Sequence, residues 1–372
     1  MSTAPTGPAD RPDLRTCLIV GSGLIGTSVA LALRRHGVHV HLTDRDPRAA
    51  RQAADLGAGT VDPPVAQVDL AVVAVSPSAT AEVVSGLLAG NVAATVVDTC
   101  GVKDRVLREV AATVGAAPHF VGTHPMAGRE RSGPLAARAD LFEGRPWAVS
   151  PAGAEERSLA RVALLLELCG AVRVDMAPAD HDAAVALVSH VPQLAASLVA
   201  ARLAEGDDAA LALTGQGLRD VTRVAASDPD LWVDVLVANA EPVARVLSEL
   251  RQDVDAVVHA LHEVAEDVEW ARMSLREVLV RGNAGRARLP GKHGGRPTPY
   301  AVVPVVLPDR PGQLGRLFAD VGGAGVNIED IRIEHSPGQP VGLVELAVTP
   351  GAEAGLVEAL QTLGWVVHAE GT

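Results

Sequence analysis

A glycine-rich turn between an apolar run and a helical stretch is the feature that most restricts the fold of this chain. Residues 17–20 are apolar, residues 21–26 read Gly-Ser-Gly-Leu-Ile-Gly, and residues 27–36 have helical periodicity. In such a unit the first glycine makes the turn, the second lets the backbone approach a pyrophosphate, and the third lets helix and strand pack closely. The pattern predicts an α/β fold with a doubly wound sheet that holds a dinucleotide.

The second predicted strand, residues 38–43, ends at Asp44. A carboxylate at this point accepts hydrogen bonds from ribose hydroxyls and repels a 2′-phosphate. We therefore expect NAD as the cofactor, although the adjacent Arg45 would suit NADP. The residues expected to bind the cofactor are Gly21, Gly23, Leu24, Ile25, Gly26 and Asp44.

The order of apolar runs and helical stretches divides the chain into five segments. Further strands at 68–75, 95–97 and 147–149 alternate with helices, which predicts a parallel sheet covered on both faces. Between residues 180 and 281 the periodicity is helical. The expected segments are a disordered leader at 1–13, a Rossmann domain at 14–176, an all-helical substrate and dimerisation domain at 177–281, a linker at 282–299 and a small domain at 300–372.

Two features of the later segments bear on assembly. An apolar stripe between Val254 and Val268 predicts one long helix that packs either on its own domain or on a partner subunit. The stripe consists of Val254, Val257, Val258, Leu261, Val264 and Val268.

The order β-α-β-β-α-β in residues 300–372 is that of a small ferredoxin-like α+β domain.

Composition narrows the classes of ligand. A net charge of −13 without a tract of basic residues disfavours nucleic acid and anionic membranes as partners. No apolar run reaches the roughly 18 residues that span a bilayer, and the N-terminal residues lack the pattern of a signal peptide, so we expect a cytoplasmic protein. The cysteines, Cys17, Cys100 and Cys169, are widely spaced and predict no metal site. Small molecules are the expected ligands.

Two polar segments follow predicted strands at the edge where an open parallel sheet binds its ligand. Residues 98–103 read Asp-Thr-Cys-Gly-Val-Lys, and residues 122–128 read Gly-Thr-His-Pro-Met-Ala-Gly. His124 should therefore face the nicotinamide. An imidazole titrates near neutral pH, so it can take a proton from a substrate hydroxyl while hydride leaves the same carbon. The pattern predicts a dehydrogenase.

Over almost its whole length the chain resembles the prephenate and arogenate dehydrogenases of tyrosine biosynthesis. The most specific segments are His-Pro-Met-Ala-Gly at 124–128 and Arg-Asp-Val-Thr-Arg at 219–223, behind the glycine fingerprint. The resemblance implies oxidative decarboxylation of a cyclohexadienyl substrate, with hydride passing to NAD and no metal, in a homodimer. Further matching segments are 21–26, 98–103, 129–130, 181–182, 189–193, 217–218, 227–229 and Trp232.

The resemblance also implies roles for single residues. His124 matches the catalytic histidine, and Arg223 matches an arginine that holds a substrate carboxylate, for which its planar, two-pronged donor is suited. Gln193 stands where some relatives have a histidine, so it can bond substrate but cannot carry a proton. The residues implied in substrate binding are Arg223, Gln193, His190, Glu130 and Asp220.

One position departs from the family pattern. Relatives usually have a serine that supports the substrate hydroxyl and the histidine, whereas this chain has Gly101, preceded by Cys100. Either a water molecule or Thr99 supplies the missing hydroxyl, or turnover is slow, or the preferred substrate differs. Arogenate and 4-amino-4-deoxyprephenate therefore stay open beside prephenate.

Two other classes of protein share some of these sequence features. A β-hydroxyacid dehydrogenase also joins a Rossmann domain to a helical one, but that family uses a lysine on the helical domain, and residues 177–281 contain none. A regulatory protein that binds NAD but has lost catalysis would explain Gly101, whereas the retention of His124 and Arg223 argues against it.

The C-terminal segment resembles an ACT domain, an amino-acid-sensing module. The resemblance rests on Asp-Arg-Pro-Gly-Gln-Leu at 309–314 and Gly-Val-Asn-Ile at 325–328. It implies an amino-acid site at Gly312, Asn327 and Ile328, and we expect feedback inhibition by tyrosine there. A module that only assists assembly is the alternative.

Overall fold

The computed structural model describes residues 13–128, 131–289, 300–335 and 340–367. The chain divides into two compact units, Met1–Val254 and Asp255–Thr372. Most of the predicted leader, residues 290–299 of the predicted linker, and Glu130 lie outside the described residues.

A seven-stranded sheet with the order β2-β1-β3-β4-β5-β6-β7 forms the centre of the first unit. Its strands are β1 (Thr16–Val20), β2 (His39–Thr43), β3 (Leu70–Val73), β4 (Val96–Asp98), β5 (Phe120–Pro125), β6 (Pro146–Ser150) and β7 (Val172–Asp175). The helices of this part are α1 (Leu24–Arg35), α2 (Pro47–Asp55), α3 (Pro77–Ala89), α4 (Asp104–Val114) and α5 (Glu156–Leu168).

Side chains of the central strands alternate between two apolar cores, one on each face of the sheet. In β1, Cys17 and Ile19 belong to the core that includes side chains of α1 and α5. Leu18 belongs to the core that includes side chains of α3 and α4. Because successive strand residues point to opposite faces, this alternation produces the covered, doubly wound sheet that the sequence predicts.

The prediction of an entirely parallel sheet is wrong at β6. Strands β2, β1, β3, β4 and β5 are parallel neighbours, but β5 pairs with β6 in antiparallel register. A parallel crossover needs a connection that returns along the sheet, usually through a helix. Between β5 and β6 the only regular element among the described residues is the short 3₁₀ turn Pro134–Ala136. The chain therefore enters β6 at the same end of the sheet at which it leaves β5. Helix α5 then makes the crossover to β7, which is parallel to β6.

The glycine turn after β1 has a steric basis. Gly21 adopts φ +99°, which disfavours any side chain, and a Cβ atom there would lie 2.2 Å from the Ala74 carbonyl oxygen. A Cβ atom on Gly26 would lie 1.9 Å from the Gly21 carbonyl oxygen. The first and third glycines are therefore required by the backbone itself.

Helices follow the sheet, as predicted. They are α6 (Pro178–Val185), α7 (Val191–Leu203), α8 (Asp208–Leu211), α9 (Gln216–Thr222), α10 (Pro229–Ala238) and α11 (Ala240–His262). A π-helical segment, Ala186–His190, separates α6 from α7, and the Val191 N–H donates to the Ala186 carbonyl. Pro192 has no N–H for the carbonyl four residues before it, so the regular ladder cannot continue there.

The helical run Pro178–Leu203 is long and apolar enough to cross a membrane by length and composition alone. Its side chains Leu187, Val188 and Leu198 are each 61% exposed. His181 and His190 on the same run are buried within the unit. A helix that buries polar groups in its own domain is a poor membrane span, and we interpret its exposed apolar side chains as an interaction surface.

The second unit contains the C-terminal end of α11, followed by α12 (Val268–Arg286). The prediction of one long helix through the Val254–Val268 stripe is wrong, because a 3₁₀ turn at Glu263–Ala265 interrupts it. The Asp267 side chain accepts a hydrogen bond from the Trp270 N–H and so begins α12 as a new helix.

The C-terminal part of this unit has the predicted order of strands and helices. Its four strands form an antiparallel sheet with the order β11-β8-β10-β9. Side chains of both helices, including Leu317 and Leu356, are buried in one core with those of the sheet. The elements are β8 (Ala301–Pro308), α13 (Gln313–Gly323), β9 (Asp330–His335), β10 (Val341–Val348), α14 (Glu353–Thr362) and β11 (Val366–Val367).

Candidate active site

A cavity of about 620 Å³ lies within the first unit, where the carboxyl ends of the strands meet the helices after the sheet. The start of α1 lines it with Gly23, Leu24 and Ile25. His124 and the helical residue His190 line it as well. The cavity thus joins the predicted nucleotide site to the predicted catalytic histidine, at the position where open α/β sheets bind their ligands.

The nucleotide end of the cavity fits a dinucleotide. Nothing lies within 4 Å of the position of a Cβ atom on Gly23, so the backbone there borders open space. The Asp44 carboxylate accepts hydrogen bonds from the Ser22 N–H at 2.6 Å and the Asp46 N–H at 2.8 Å. Asp44 therefore fixes the turn as well as standing at the end of β2, where a ribose would lie.

His124 belongs to β5 itself, whereas the sequence suggested that its segment follows the strand. Its backbone is paired with Ala148 of β6, so the sheet fixes the base of the side chain. Its Nδ1 lies 3.0 Å from His181 Nε2, and a Cβ atom on Gly101 would lie 3.7 Å from its Nε2. One ring nitrogen therefore contacts a protein partner, and the other borders Gly101, which also lines the cavity.

A short chain of polar groups continues behind His124. His181 Nδ1 lies 2.8 Å from Asp182 Oδ1. The Asp182 carboxylate accepts the Lys103 N–H at 2.7 Å and the Asp104 N–H at 2.9 Å, at the start of α4. Partially positive backbone N–H groups at a helix start favour a carboxylate at this place.

A buried ion pair lies beneath the histidine strand. The Lys103 ammonium binds the Asp98 carboxylate and donates to the Thr123 carbonyl at 2.7 Å. Asp98 also accepts the Thr123 N–H at 2.9 Å, and Trp147 Nε1 donates to the Thr123 hydroxyl at 2.9 Å. This network ties β4, β5 and β6 together directly before His124.

The surroundings keep both cavity histidines neutral at physiological pH. Burial lowers the pKa of His124 well below its ordinary value, helped by His181, the Lys103 ammonium and His190. Burial also lowers the pKa of His190 to about 4, with His181 acting in the same direction and Asp182 opposing. A neutral imidazole can accept a proton, as a general base must.

His190 is held by residues distant in sequence. The Asn239 amide lies 3.0 Å from His190 Nδ1 and donates to the Asp182 carbonyl at 2.8 Å. The Trp232 ring meets the His190 ring edge to face, with 6.0 Å between centroids. His190 and Trp232 both line the cavity, and the contacts with Asn239 and Trp232 hold the His190 ring in place.

The structure brings together only some of the predicted substrate-binding residues. Gln193 donates from its amide to the Val224 carbonyl at 2.9 Å, and Asp220 is exposed on α9 and accepts from the Gln216 amide at 2.9 Å. Arg223 begins the 3₁₀ turn after α9. Among the described residues that line the cavity, Gln193, Asp220 and Arg223 do not occur, and their roles stay predictions.

The predicted regulatory residues lie in the C-terminal sheet domain. Gly312 adopts φ +86° immediately before α13, which suits a tight turn at a helix start. The Asn327 amide donates to Glu329 Oε1 at 2.8 Å, and Ile328 packs against the core of this domain. Their binding role also stays a prediction.

Sequence reasoning missed several cavity residues. Arg131 and Asp228 are the charged residues among the described lining, and Cys100 and Ser189 also line it. Arg131 stands within five residues of a recognised motif, but no spacing rule marks it. His181-Asp182 was recognised as a matching segment, yet only the structure shows its contact with His124. Among the described residues, no group of three or more His, Cys, Asp or Glu side chains could hold a metal ion.

Two family models of known proteins match consecutive parts of this chain. A family model described as prephenate dehydrogenase, nucleotide-binding domain, matches residues 29–175. A second, described as prephenate dehydrogenase, dimerization domain, matches residues 177–279.

The same family recurs among relatives of known sequence and structure. Over 362 residues the chain is 42% identical to a protein named probable prephenate dehydrogenase NovF, from Streptomyces niveus, with 96% of this chain and 100% of the relative covered. It is 25% identical over 331 residues to prephenate dehydrogenase of Bacillus subtilis (strain 168), covering 86% of this chain and 88% of the relative. Prephenate dehydrogenase from A. aeolicus, crystallised with hydroxyphenyl propionate and NAD+, matches with a TM-score of 0.63 and 27% identity over 73% of this chain and 99% of its own.

Proposed function

The chain belongs to the prephenate dehydrogenase family, and from this premise we propose that it catalyses the NAD-dependent oxidative decarboxylation of prephenate to 4-hydroxyphenylpyruvate in tyrosine biosynthesis. The observation that carries the proposal is the position of His124, neutral and lining the same cavity as the glycine turn of the nucleotide site. A base at that point can meet a substrate hydroxyl next to a nicotinamide.

NAD, when bound, accepts hydride from the ring carbon that bears the substrate hydroxyl. His124 accepts the proton of that hydroxyl, so the oxygen can form a carbonyl as hydride leaves. The bond between the ring and its carboxylate then breaks, carbon dioxide departs, and the electron pair enters the ring. The ring oxygen, now a phenolate, takes back the proton from His124 to give a phenol. Aromatisation supplies the driving force, and the protein has to orient the substrate, exclude water and accept one proton.

The glycine turn and Asp44 are the residues proposed to hold NAD. The open space beside Gly23 supports close approach of a pyrophosphate to the backbone, and the start of α1 offers N–H groups to it. The carboxylate of Asp44 supports NAD over NADP because a 2′-phosphate would meet its negative charge.

For the substrate we propose contacts from Arg223, Gln193, His190, Glu130 and Asp220. His190 is supported directly, because it lines the cavity together with His124. The other four rest on the family resemblance. Gln193, Asp220 and Arg223 require the substrate-bound enzyme to bring them to the cavity, and Glu130 lies outside the described residues. Arg131, a cation in addition to Arg223, lines the cavity, and its guanidinium group can bind a carboxylate or a phosphate.

We propose that the protein works as a homodimer through its helical domain. The match to a dimerization domain supports this, and so do Leu187, Val188 and Leu198, which expose an apolar surface on the Pro178–Leu203 run. An apolar surface of this kind is typical of a subunit interface.

For residues 300–372 we propose an ACT domain that senses tyrosine. The four-stranded sheet with its two helices supports the fold, and the open turn at Gly312 supports a ligand loop. Inhibition of turnover by tyrosine that disappears when residues 298–372 are deleted would support the sensing role. Inhibition that survives the deletion would contradict it.

The activity is tested by offering prephenate, arogenate and 4-amino-4-deoxyprephenate separately, each with NAD and then with NADP, and following absorbance of the reduced nicotinamide. We expect reduction with prephenate and NAD. Faster turnover of one of the amino substrates would assign the reaction to it. If no substrate were oxidised while NAD still bound, the protein would be a nucleotide-binding regulator.

A further inference from the structure

The two nitrogens of His124 have unequal surroundings. Nδ1 lies 3.0 Å from His181 Nε2, whereas Nε2 lies beside Gly101 at the cavity. For His124 to accept a proton from substrate, Nε2 must be the nitrogen without hydrogen. The neutral ring must then carry its hydrogen on Nδ1, which requires His181 Nε2 to act as the acceptor.

Asp182 decides which nitrogen of His181 can accept. Its carboxylate oxygens accept the N–H groups of Lys103 and Asp104, and they offer no hydrogen to a third partner. The hydrogen between Asp182 and His181 therefore belongs to His181 Nδ1, at 2.8 Å from Asp182 Oδ1. A neutral His181 then has a bare Nε2 that faces His124.

We infer that His181, oriented by Asp182, is a positioning residue that fixes His124 in the tautomer with hydrogen on Nδ1 and a free Nε2. The inference deepens the proposed function and rests on it for its catalytic meaning. The same logic of carboxylate, histidine and reacting group operates in hydrolase triads, where the wrong tautomer abolishes most of the activity.

The His181–Asp182 pair also stabilises the positive charge that His124 gains during the reaction. When His124 Nε2 takes the substrate proton, the ring becomes cationic while Nδ1–H remains bonded to His181. The Asp182 carboxylate, one ring further away, offsets part of that charge. His181 and Asp182 are 1% and 4% exposed, so we assign them no role in releasing the proton to solvent.

Two substitutions of His181 separate positioning from packing. His181→Gln retains an amide oxygen that can accept from His124 Nδ1, whereas His181→Phe keeps a ring of similar size without an acceptor. In His181→Phe the Nδ1–H would be buried without a partner, so His124 should move its hydrogen to Nε2. We expect kcat to fall roughly 10²-fold in His181→Phe, with much of it restored in His181→Gln and the Kd for NAD unchanged in both.

The tautomer itself is read by long-range proton–nitrogen NMR of protein labelled with ¹⁵N-histidine, with signals assigned through the His181 variants and His124→Gln. In the wild-type protein we expect hydrogen on Nδ1 of both rings, and in His181→Phe hydrogen on Nε2 of His124. Hydrogen on Nε2 of His124 in the wild-type protein would overturn the inference, and so would an unchanged tautomer in folded His181→Phe. Because the spectrum needs no substrate, a failure of the proposed reaction would be distinguishable from a failure of this inference.

Discussion

The nucleotide end and the catalytic end of the cavity are built in different ways. At the nucleotide end, Gly26 and Asp44 act within one βαβ unit, through backbone sterics and backbone hydrogen bonds, and Gly21 also packs against the backbone of Ala74 after β3. At the catalytic end, His124 depends on His181 of a helix beyond the sheet, and His181 on Asp182. A local motif can therefore specify the cofactor site, whereas the base is specified only by the folded assembly of two parts of the chain.

The largest effect is expected from removing the base. His124→Asn keeps a polar side chain but no group that titrates near neutral pH, so kcat should fall about 10²- to 10⁴-fold. Among the described residues no hydrogen bond joins His124 to the nucleotide end, so the Kd for NAD, measured by calorimetry, should stay within a factor of about two. A large loss of NAD affinity would show that the two ends are not independent.

A matched pair of glycine substitutions tests the nucleotide end. A Cβ atom on Gly26 would lie 1.9 Å from the Gly21 carbonyl oxygen, so Gly26→Ala should lower the free energy of unfolding by about 1–3 kcal/mol or more. Gly23→Ala meets no atom within 4 Å and should fold normally, but its methyl group would project towards the pyrophosphate and weaken NAD binding. Urea denaturation and NAD titration of both variants measure these effects. Equal stability of the two variants would contradict the steric argument.

The two cavity histidines make the stability of the folded protein depend on pH. The pKa of His190 is lowered to about 4 in the folded protein, and that of His124 is also lowered, whereas unfolded histidines titrate near about 6.5. As pH falls below about 6.5, the unfolded chain takes up these protons first, so stability is lost by about 1.4 kcal/mol per pH unit for each histidine.

Urea denaturation between neutral and mildly acidic pH checks this slope. His190→Gln removes the contribution of His190 and leaves that of His124. The free energy of unfolding should therefore fall less steeply with acid than in the wild-type protein. Parallel curves for the two proteins would refute the assignment to His190. The acid limb of kcat/KM should likewise lie well below the ordinary pKa of histidine, because His124 stays neutral there.

The smallest effect is expected at Gly101, where the family serine is missing. A Cβ atom there would lie 3.7 Å from His124 Nε2 and Cε1, which is ordinary contact, so the site has room for a side chain. If prephenate is the substrate, Gly101→Ser should raise kcat about two- to ten-fold by adding a hydrogen bond at the substrate hydroxyl. Gly101→Ala fills the same space without a hydroxyl and should give no gain. An unchanged or lower rate for Gly101→Ser in steady-state assays would argue against that role.

Patterns that repeat within a few residues were sufficient for much of the fold. The glycine fingerprint, the apolar strands and the helical stretches predicted the covered sheet followed by helices, because strand and helix periodicity is local. The direction of β6 was wrong because it depends on the connection that precedes it. The long helix across the Val254–Val268 stripe was wrong because a 3₁₀ turn at Glu263–Ala265 ends α11 and the cap at Asp267 begins a new helix.

What the sequence by itself determined is the class of the protein: a Rossmann domain, a helical domain, a small C-terminal sheet domain, and His124 as the candidate base. Only the tertiary structure decided which groups surround that base. The Asp98–Lys103 pair beneath it reaches Thr123 because β4 and β5 are neighbours in the sheet. The His181–Asp182 pair lies behind it because α6 meets the start of α4. The protonation of an imidazole is set by burial and by its bonded neighbours, and no linear pattern records distances between residues 57 positions apart.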